Sequence, residues 1–184
     1  MSRDSIIDLS KAGNADEIRS RSKFFELIWM ICEFIFVFNP LQLSSGLRVF
    51  IIRIFGGQIG RGVIFRQRTK IKYPWKLKIG DNCWIGEEVW IHNQDNVTIG
   101  NNVVISQGTF ITTGSHDIYI DMKLITRPIN IEDGVWITSK CIILMGSHIG
   151  SGCIVTPGSV VRNSLEKNSI YGGNPLKFIK LRVK

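Results

Sequence analysis

Between residues 59 and 161 a large apolar residue returns at every sixth position, with two kinds of interruption. The series runs Ile59, Phe65, Ile71, Ile79, Ile85, Ile91, Ile99, Ile105, Ile111, Ile131, Ile137, Ile143, Ile149, Val155 and Val161. Four positions later the side chain is usually small, as at Val63, Cys83, Val103, Ser115, Cys141, Ser147, Cys153 and Ser159; Trp75, Asp95 and Leu165 are the exceptions. Six is too long a period for a helix face and too regular for a sandwich. It predicts a coil of short strands. The large residue points inward, the small one packs inward beside each corner, and glycines such as Gly60, Gly80, Gly86, Gly100 and Gly150 permit the turn. Three hexads make one triangular turn, and successive turns stack as parallel strands.

A plain turn would take 18 residues, yet Ile59 to Ile79 and Ile79 to Ile99 are each 20 apart. The extra pairs, Leu77-Lys78 and Val97-Thr98, therefore fall at one corner. Ile99 to Ile131 spans 32 residues. After the same insertion, Ile129-Asn130, a dozen further residues remain, and they predict a loop leaving that corner over residues 115–128. Ser115 is expected in the inward small place and His116 just outside it, at the root of the loop. Asn93 to Asn96 are expected one turn below and His148 one turn above, at the ~4.8 Å spacing of neighbouring strands. Histidine titrates near neutrality, so an outward one at a loop root is a candidate general base.

The stretch FFELIWMICEFIFVF (24–38) is too short for a membrane-spanning helix, which needs roughly 20 residues. Glu26 and Glu33 lie one heptad apart on one helical face, which predicts an amphipathic helix ended by Asn39-Pro40. GLRVFIIRIFGG (46–57) predicts a second one, with Arg48 and Arg53 spaced along it. The two helices are expected to cap one end of the coil, and docking on a membrane surface through residues 24–55 is the functional alternative. The predicted segments are thus 1–58 (helical), 59–166 (coil) and 167–184 (basic extension).

Composition adds charge. The chain of 184 residues carries a formal +8 with a pI near 9.5. That balance suits phosphorylated ligands or an anionic surface. Lysine and arginine concentrate in the first 80 and last 23 residues rather than on a reading element, so nucleic acid is not an expected partner. The four cysteines show no CxxC spacing and no secretory signal is read, so they are expected reduced, in a cytoplasmic protein. Three occupy the small inward position, which leaves packing as their role.

This pattern resembles the hexapeptide-repeat acyltransferases, which implies an all-β fold, a left-handed parallel β-helix with a short α-helical N-terminal cap and a small C-terminal extension. GSHD (114–117), INIEDGVWI (129–137), GSHIGSGCIVTPGSVV (146–161) and the closing GGNPLKFIK resemble sugar O-acetyltransferases of that superfamily. IKYPWKLKIGDNCWIGEEVW (71–90) and the two N-terminal helices resemble the colanic acid and exopolysaccharide acetyltransferases. The resemblance implies acetyl-CoA as co-substrate, no metal, and His116 as the base that deprotonates a sugar hydroxyl for direct attack on the thioester. It implies an oxyanion donor at the Ser139 backbone N–H. It also implies a homotrimer that binds CoA between subunits through Ser139, Pro157, Arg162, Lys177 and Lys180. Outward Trp84, Trp90 and Trp136 would need covering in any case. Arg162-Asn163 stand where similar enzymes often have Thr-Lys, and the two lysines where arginine is frequent. Galactoside-type relatives use an asparagine and an aspartate below the histidine. Here those places read Gly86 and Gln94, so a simple galactoside is not the expected acceptor.

Asn93, Gln94 and Asp95 are candidates for the acceptor by proximity, with Asp117 as a loop or sugar ligand and His148 at the CoA groove. The acceptor is expected to be a free or lipid-linked sugar, and the location cytoplasmic, with a peripheral place at the inner face of the membrane as the extension. Rival readings are a chloramphenicol-type acetyltransferase, a spacer protein, and a zinc enzyme like the γ-carbonic anhydrases. The last would need His92, His116 and His148 to converge within about 2.1 Å of one metal.

Overall fold

Each hexad folds into one short strand whose large residue points into the coil. The computed structural model describes residues 7–13 and 20–182; residues 1–6, 14–19 and 183–184 of the expected terminal segments lie outside that description. The first face stacks β1 (Gln58–Ile59), β4 (Leu77–Ile79), β7 (Val97–Ile99), β12 (Ile129–Ile131) and β15 (His148–Ile149). The second stacks β2 (Ile64–Phe65), β5 (Trp84–Ile85), β8 (Val104–Ile105), β13 (Trp136–Ile137) and β16 (Ile154–Val155). It continues into β18 (Ser169–Gly172) and the antiparallel β19 (Lys177–Leu181). The third stacks β3 (Lys70–Ile71), β6 (Trp90–His92), β9 (Phe110–Thr112), β14 (Ile142–Ile143) and β17 (Val160–Val161). A separate hairpin pairs β10 (Gly114–His116) with β11 (Leu124–Thr126).

All fifteen inward large residues are at most 7 % exposed. Each contributes roughly 1.5–3 kcal/mol by leaving water. Cys83, Cys141 and Cys153 are fully buried, and burial pushes each thiol above its ordinary range, which keeps it an unreactive packing group. The glycines after the large residues serve close approach rather than the turn itself: a Cβ on Gly80 would sit 2.8 Å from the Gly100 carbonyl. The left-handed corner conformations fall two residues later, as at Gly62, Asn82, Glu88, Asn102 and Gly152.

At the corner with the two-residue insertion the inward place shifts. Tyr73, Asn93 and Thr113 hold it, two positions after the large residue, while Ser115 is exposed. Asn93 is fully buried; it accepts from the Tyr73 N–H at 3.0 Å and donates to the Tyr73 carbonyl at 2.7 Å. That geometry corrects its expected place at the acceptor site: the side chain is a spacer joining two turns. Asn93→Ala should destabilise the fold by about 2 kcal/mol, because two buried backbone groups lose their partner. Urea unfolding checks this; an unchanged midpoint would show that water replaces the amide.

The helical cap follows from local signals. Ser22 caps α1 (Lys23–Cys32), which runs on as a π-helical segment over Glu33–Phe38, and Ser44 caps α2 (Ser45–Ile54). Trp29, Val37, Val49 and Ile52 pack onto the first turn, and the Trp29 indole N–H donates to the Ile71 carbonyl at 2.9 Å. Arg48 is buried rather than facing out. It donates to the carbonyls of Val37, Asn39 and Gln42 and so closes the connection between the helices. Arg53 likewise holds the carbonyls of Ile59 and Gly60 at the entry to the coil. Among the described residues no helix is long and apolar enough to cross a membrane.

Candidate active site

The hairpin that carries His116 starts where the inserted corner releases the chain. Thr113 is the last inward residue, and its carbonyl accepts from Arg127 N–H at 3.0 Å, closing the base of the excursion. Gly114 packs against the Gln94 amide, which a side chain at that position would push aside. The strands then pair antiparallel, with His116 opposite Leu124. Asp117 organises the tip: its carboxylate accepts from the N–H groups of Tyr119 and Ile120, and its carbonyl accepts from Met122 N–H at 2.8 Å. Asp117 therefore caps the turn.

Met122 sits in the left-handed region at φ 57°, and its carbonyl lies 2.8 Å from His116 Nδ1. A carbonyl only accepts, so Nδ1 carries the proton in the neutral ring. The lone pair is then on Nε2, in an exposed side chain. This tautomer is the one a general base needs. No sequence signal marks Met122, because the group involved is its backbone.

Below the hairpin, Asp95 N–H donates to Thr113 Oγ1 at 2.8 Å and Lys76 Nζ donates to the Gln94 carbonyl at 2.6 Å. Burial lowers the Lys76 ammonium from its ordinary range, and Asp95 and Glu26 partly offset that. Gln94 and Asp95 thus stand at the hairpin foot, as expected from the spacing. His148 does not pair with the hairpin. It is in register with Asn130; its Nδ1 lies 3.3 Å from the Asn130 amide nitrogen and its Nε2 lies 2.9 Å from Glu132. Ser151 donates to the same carboxylate from N and Oγ, and these two bonds, then His148, hold the Glu132 carboxyl below the usual range. The three histidines lie on three separate pieces: His92 on the third face, His116 on the hairpin, His148 on the first face. Among the described residues no group of three or more His, Cys, Asp or Glu is arranged to hold a metal ion.

The residues expected to meet CoA are partly assembled. Ser139 and Pro157 stack at the corner between the second and third faces, where Gly158 N–H donates to the Ser139 carbonyl at 3.0 Å. The Ser139 N–H donates to no backbone carbonyl among the described residues. Lys177 and Lys180 lie exposed on β19, opposite Gly172 and Ile170 at the end of the second face. Arg162 is exposed at the far end of the third face, after β17. A cavity of about 210 Å³ opens on the second face near Ser106 and Gln107, lined also by Arg66, Trp84 and Gly86. His116 leaves from a different corner from Ser139. In one chain the third face separates them, at roughly 3.3 Å per residue of strand.

The two apolar faces flank the Ser139 corner. Outward residues of the second face include Trp84 and Trp136, 59 % and 45 % exposed, and those of the third include Trp90 at 42 %. The first face is polar, with Gln58, Lys78, Thr98, Asn130 and His148 outward.

Comparison with known proteins agrees with this architecture. The family described as hexapeptide repeat of succinyl-transferase matches residues 76–113 and 128–162. The colanic acid biosynthesis acetyltransferase WcaF of Escherichia coli (strain K12) is 36 % identical over 174 residues, covering 94 % of this chain and 91 % of that protein. Among solved structures, the hexapeptide-repeat acetyltransferase VCA0836 of Vibrio cholerae O1 biovar eltor, complexed with acetyl-CoA, superposes with a TM-score of 0.76 at 24 % identity, over 92 % of this chain and 89 % of that one. A maltose O-acetyltransferase from Clostridium difficile 630 gives 0.74 at 22 % identity, over 97 % and 98 %. The coil therefore has the left-handed sense, against the usual right-handed crossover. With a relative of that identity along nearly its whole length, the chain belongs to the hexapeptide-repeat acetyltransferases and is an acyltransferase.

Proposed function

We propose that the protein transfers an acetyl group from acetyl-CoA to a sugar hydroxyl during assembly of a bacterial surface polysaccharide. The observation that carries this is the His116 tautomer, fixed by the Met122 carbonyl with Nε2 outward. Nε2 takes the hydroxyl proton as the oxygen attacks the thioester carbonyl. The Ser139 N–H is the donor that meets the developing oxyanion. Collapse breaks the carbon–sulfur bond, and the imidazolium returns its proton to the departing thiolate. Gln94 and Asp95 orient the acceptor from the hairpin foot, and Lys177, Lys180 and Arg162 meet CoA phosphates. The match along nearly the whole length of a colanic acid biosynthesis enzyme, cap helices included, favours a polysaccharide sugar, free or lipid-linked, over a drug.

The separation of His116 from the Ser139 corner supports a homotrimer. One chain supplies the base and its neighbour the CoA corner, with the two apolar faces packed against other copies. Calorimetric titration of acetyl-CoA tests the donor side. Wild type should bind in the micromolar to low millimolar range, and reversal of Lys177 and Lys180 to glutamate should weaken binding at least about tenfold. No heat from a folded trimer would overturn the reading.

A further inference from the structure

α1 and the π-helical segment invert the usual amphipathic arrangement, in which apolar residues face the core and charges face water. Phe24, Leu27, Met30, Ile31, Phe34 and Ile35 are exposed. The segment's two carboxylates, Glu26 and Glu33, instead line a cavity of about 230 Å³ with Trp29, Ile71 and Trp90, against the third face. From Phe24 to Leu47 the outer surface therefore presents no charged side chain. The connection adds exposed Leu41 and Leu43, and α2 adds Phe50 and Ile54. An apolar surface of this extent needs a cover.

Charge identifies the cover. Residues 20–57, which form the cap, hold Arg21, Lys23, Arg48 and Arg53 against only the two inward glutamates. Of those cations, Arg48 is withdrawn into the fold, but Arg21 and Lys23 are exposed at the start of α1; Lys70, beyond the cap, lines the same cavity as the glutamates. The Arg21 guanidinium lies 5.6 Å from the Phe25 ring, so a cation stands at the start of the apolar run. A second copy of this surface would bring Arg21 and Lys23 of both copies together, which opposes association. An anionic bilayer offers both an apolar interior and negative headgroups.

We propose that this face docks on an anionic lipid bilayer. The outer side chains of α1 and the π-helical segment enter the boundary between headgroups and acyl chains, and Arg21 and Lys23 meet the headgroups. The docking does not depend on acetyl transfer, and its test is read without turnover.

Co-sedimentation of the full chain with vesicles provides that test, using phosphatidylcholine alone and phosphatidylcholine with a quarter phosphatidylglycerol. Binding is expected to the second composition, falling steeply between 50 and 500 mM salt. The double variant R21E/K23E should lower partitioning at least about tenfold. Leu27→Ser with Ile31→Ser and Phe34→Ser should abolish it while acetyl-CoA binding persists, which separates lost docking from lost folding. Absence of wild-type binding to either vesicle would overturn the proposal. So would equal binding to neutral vesicles, or a serine variant whose principal change is a smaller oligomer.

Discussion

Replacing His116 with asparagine should lower kcat by about 10²–10⁴-fold while acetyl-CoA binding and folding stay near wild type. The histidine is exposed and its ring contributes little packing, so the hairpin should survive. Asparagine keeps an N–H donor for the Met122 carbonyl but offers no basic nitrogen. Steady-state assay of CoA thiol release, with calorimetry on the same preparation, reads both halves. The backbone origin of the tautomer supplies an internal control. Met122 acts through its backbone at φ 57°, so Met122→Gly, which tolerates that conformation, should stay within a few fold of wild type. Met122→Pro cannot adopt it and loses the N–H bond to Asp117, and should approach the asparagine variant. If His116→Asn retained full turnover, the base would have to be sought elsewhere on the hairpin foot.

Glu33 should make the protein less stable as pH rises from about 4.5 to about 7. Burial raises its carboxyl from 4.5 to about 7, and the Ile71 N–H with Lys70 and Lys72 only partly oppose that. Below the unfolded value both states hold the proton and nothing is lost. Above the folded value the native state must keep a buried carboxylate that the unfolded chain leaves in water. The difference approaches about 3 kcal/mol. Glu33→Gln keeps a carbonyl oxygen to accept from Ile71, so the variant should exceed wild type by about that amount at pH 8 and match it at pH 4. Urea midpoints across that range measure it. A variant weaker than wild type at pH 8 would mean that the lysines bind the carboxylate more strongly than burial penalises it.

The repeat was readable because a stacked coil imposes one rule on every turn. The inward role of Ile59 through Val161 and the departure of the chain near His116 both follow from counting. At the inserted corner the added residues change the phase, which counting by six does not show. Thr113, not Ser115, is inward there, and Asn93, placed by proximity beside the acceptor, is consumed in joining turns. Counting places His148 near His116, but the antiparallel hairpin carries His116 out of the ladder and leaves His148 above Asn130. Helical spacing put Glu26 and Glu33 on one face without saying which way it turned. Only the packing of Trp29 on the first turn decides that. The Arg48 contacts join backbone carbonyls, which leave no trace in residue identity.

The bond between the Thr113 carbonyl and Arg127 N–H separates two kinds of change. Everything between those residues is a closed detour with its own ladder and its own cap, entered and left at neighbouring points. The ladder continues past it from Val97 to Ile129 as though the detour were absent. Lengthening such a detour costs only slowly growing closure entropy. Inheritance can therefore revise the surface around His116, by trading one excursion for another, while the columns of isoleucine that make the protein stable remain as they are.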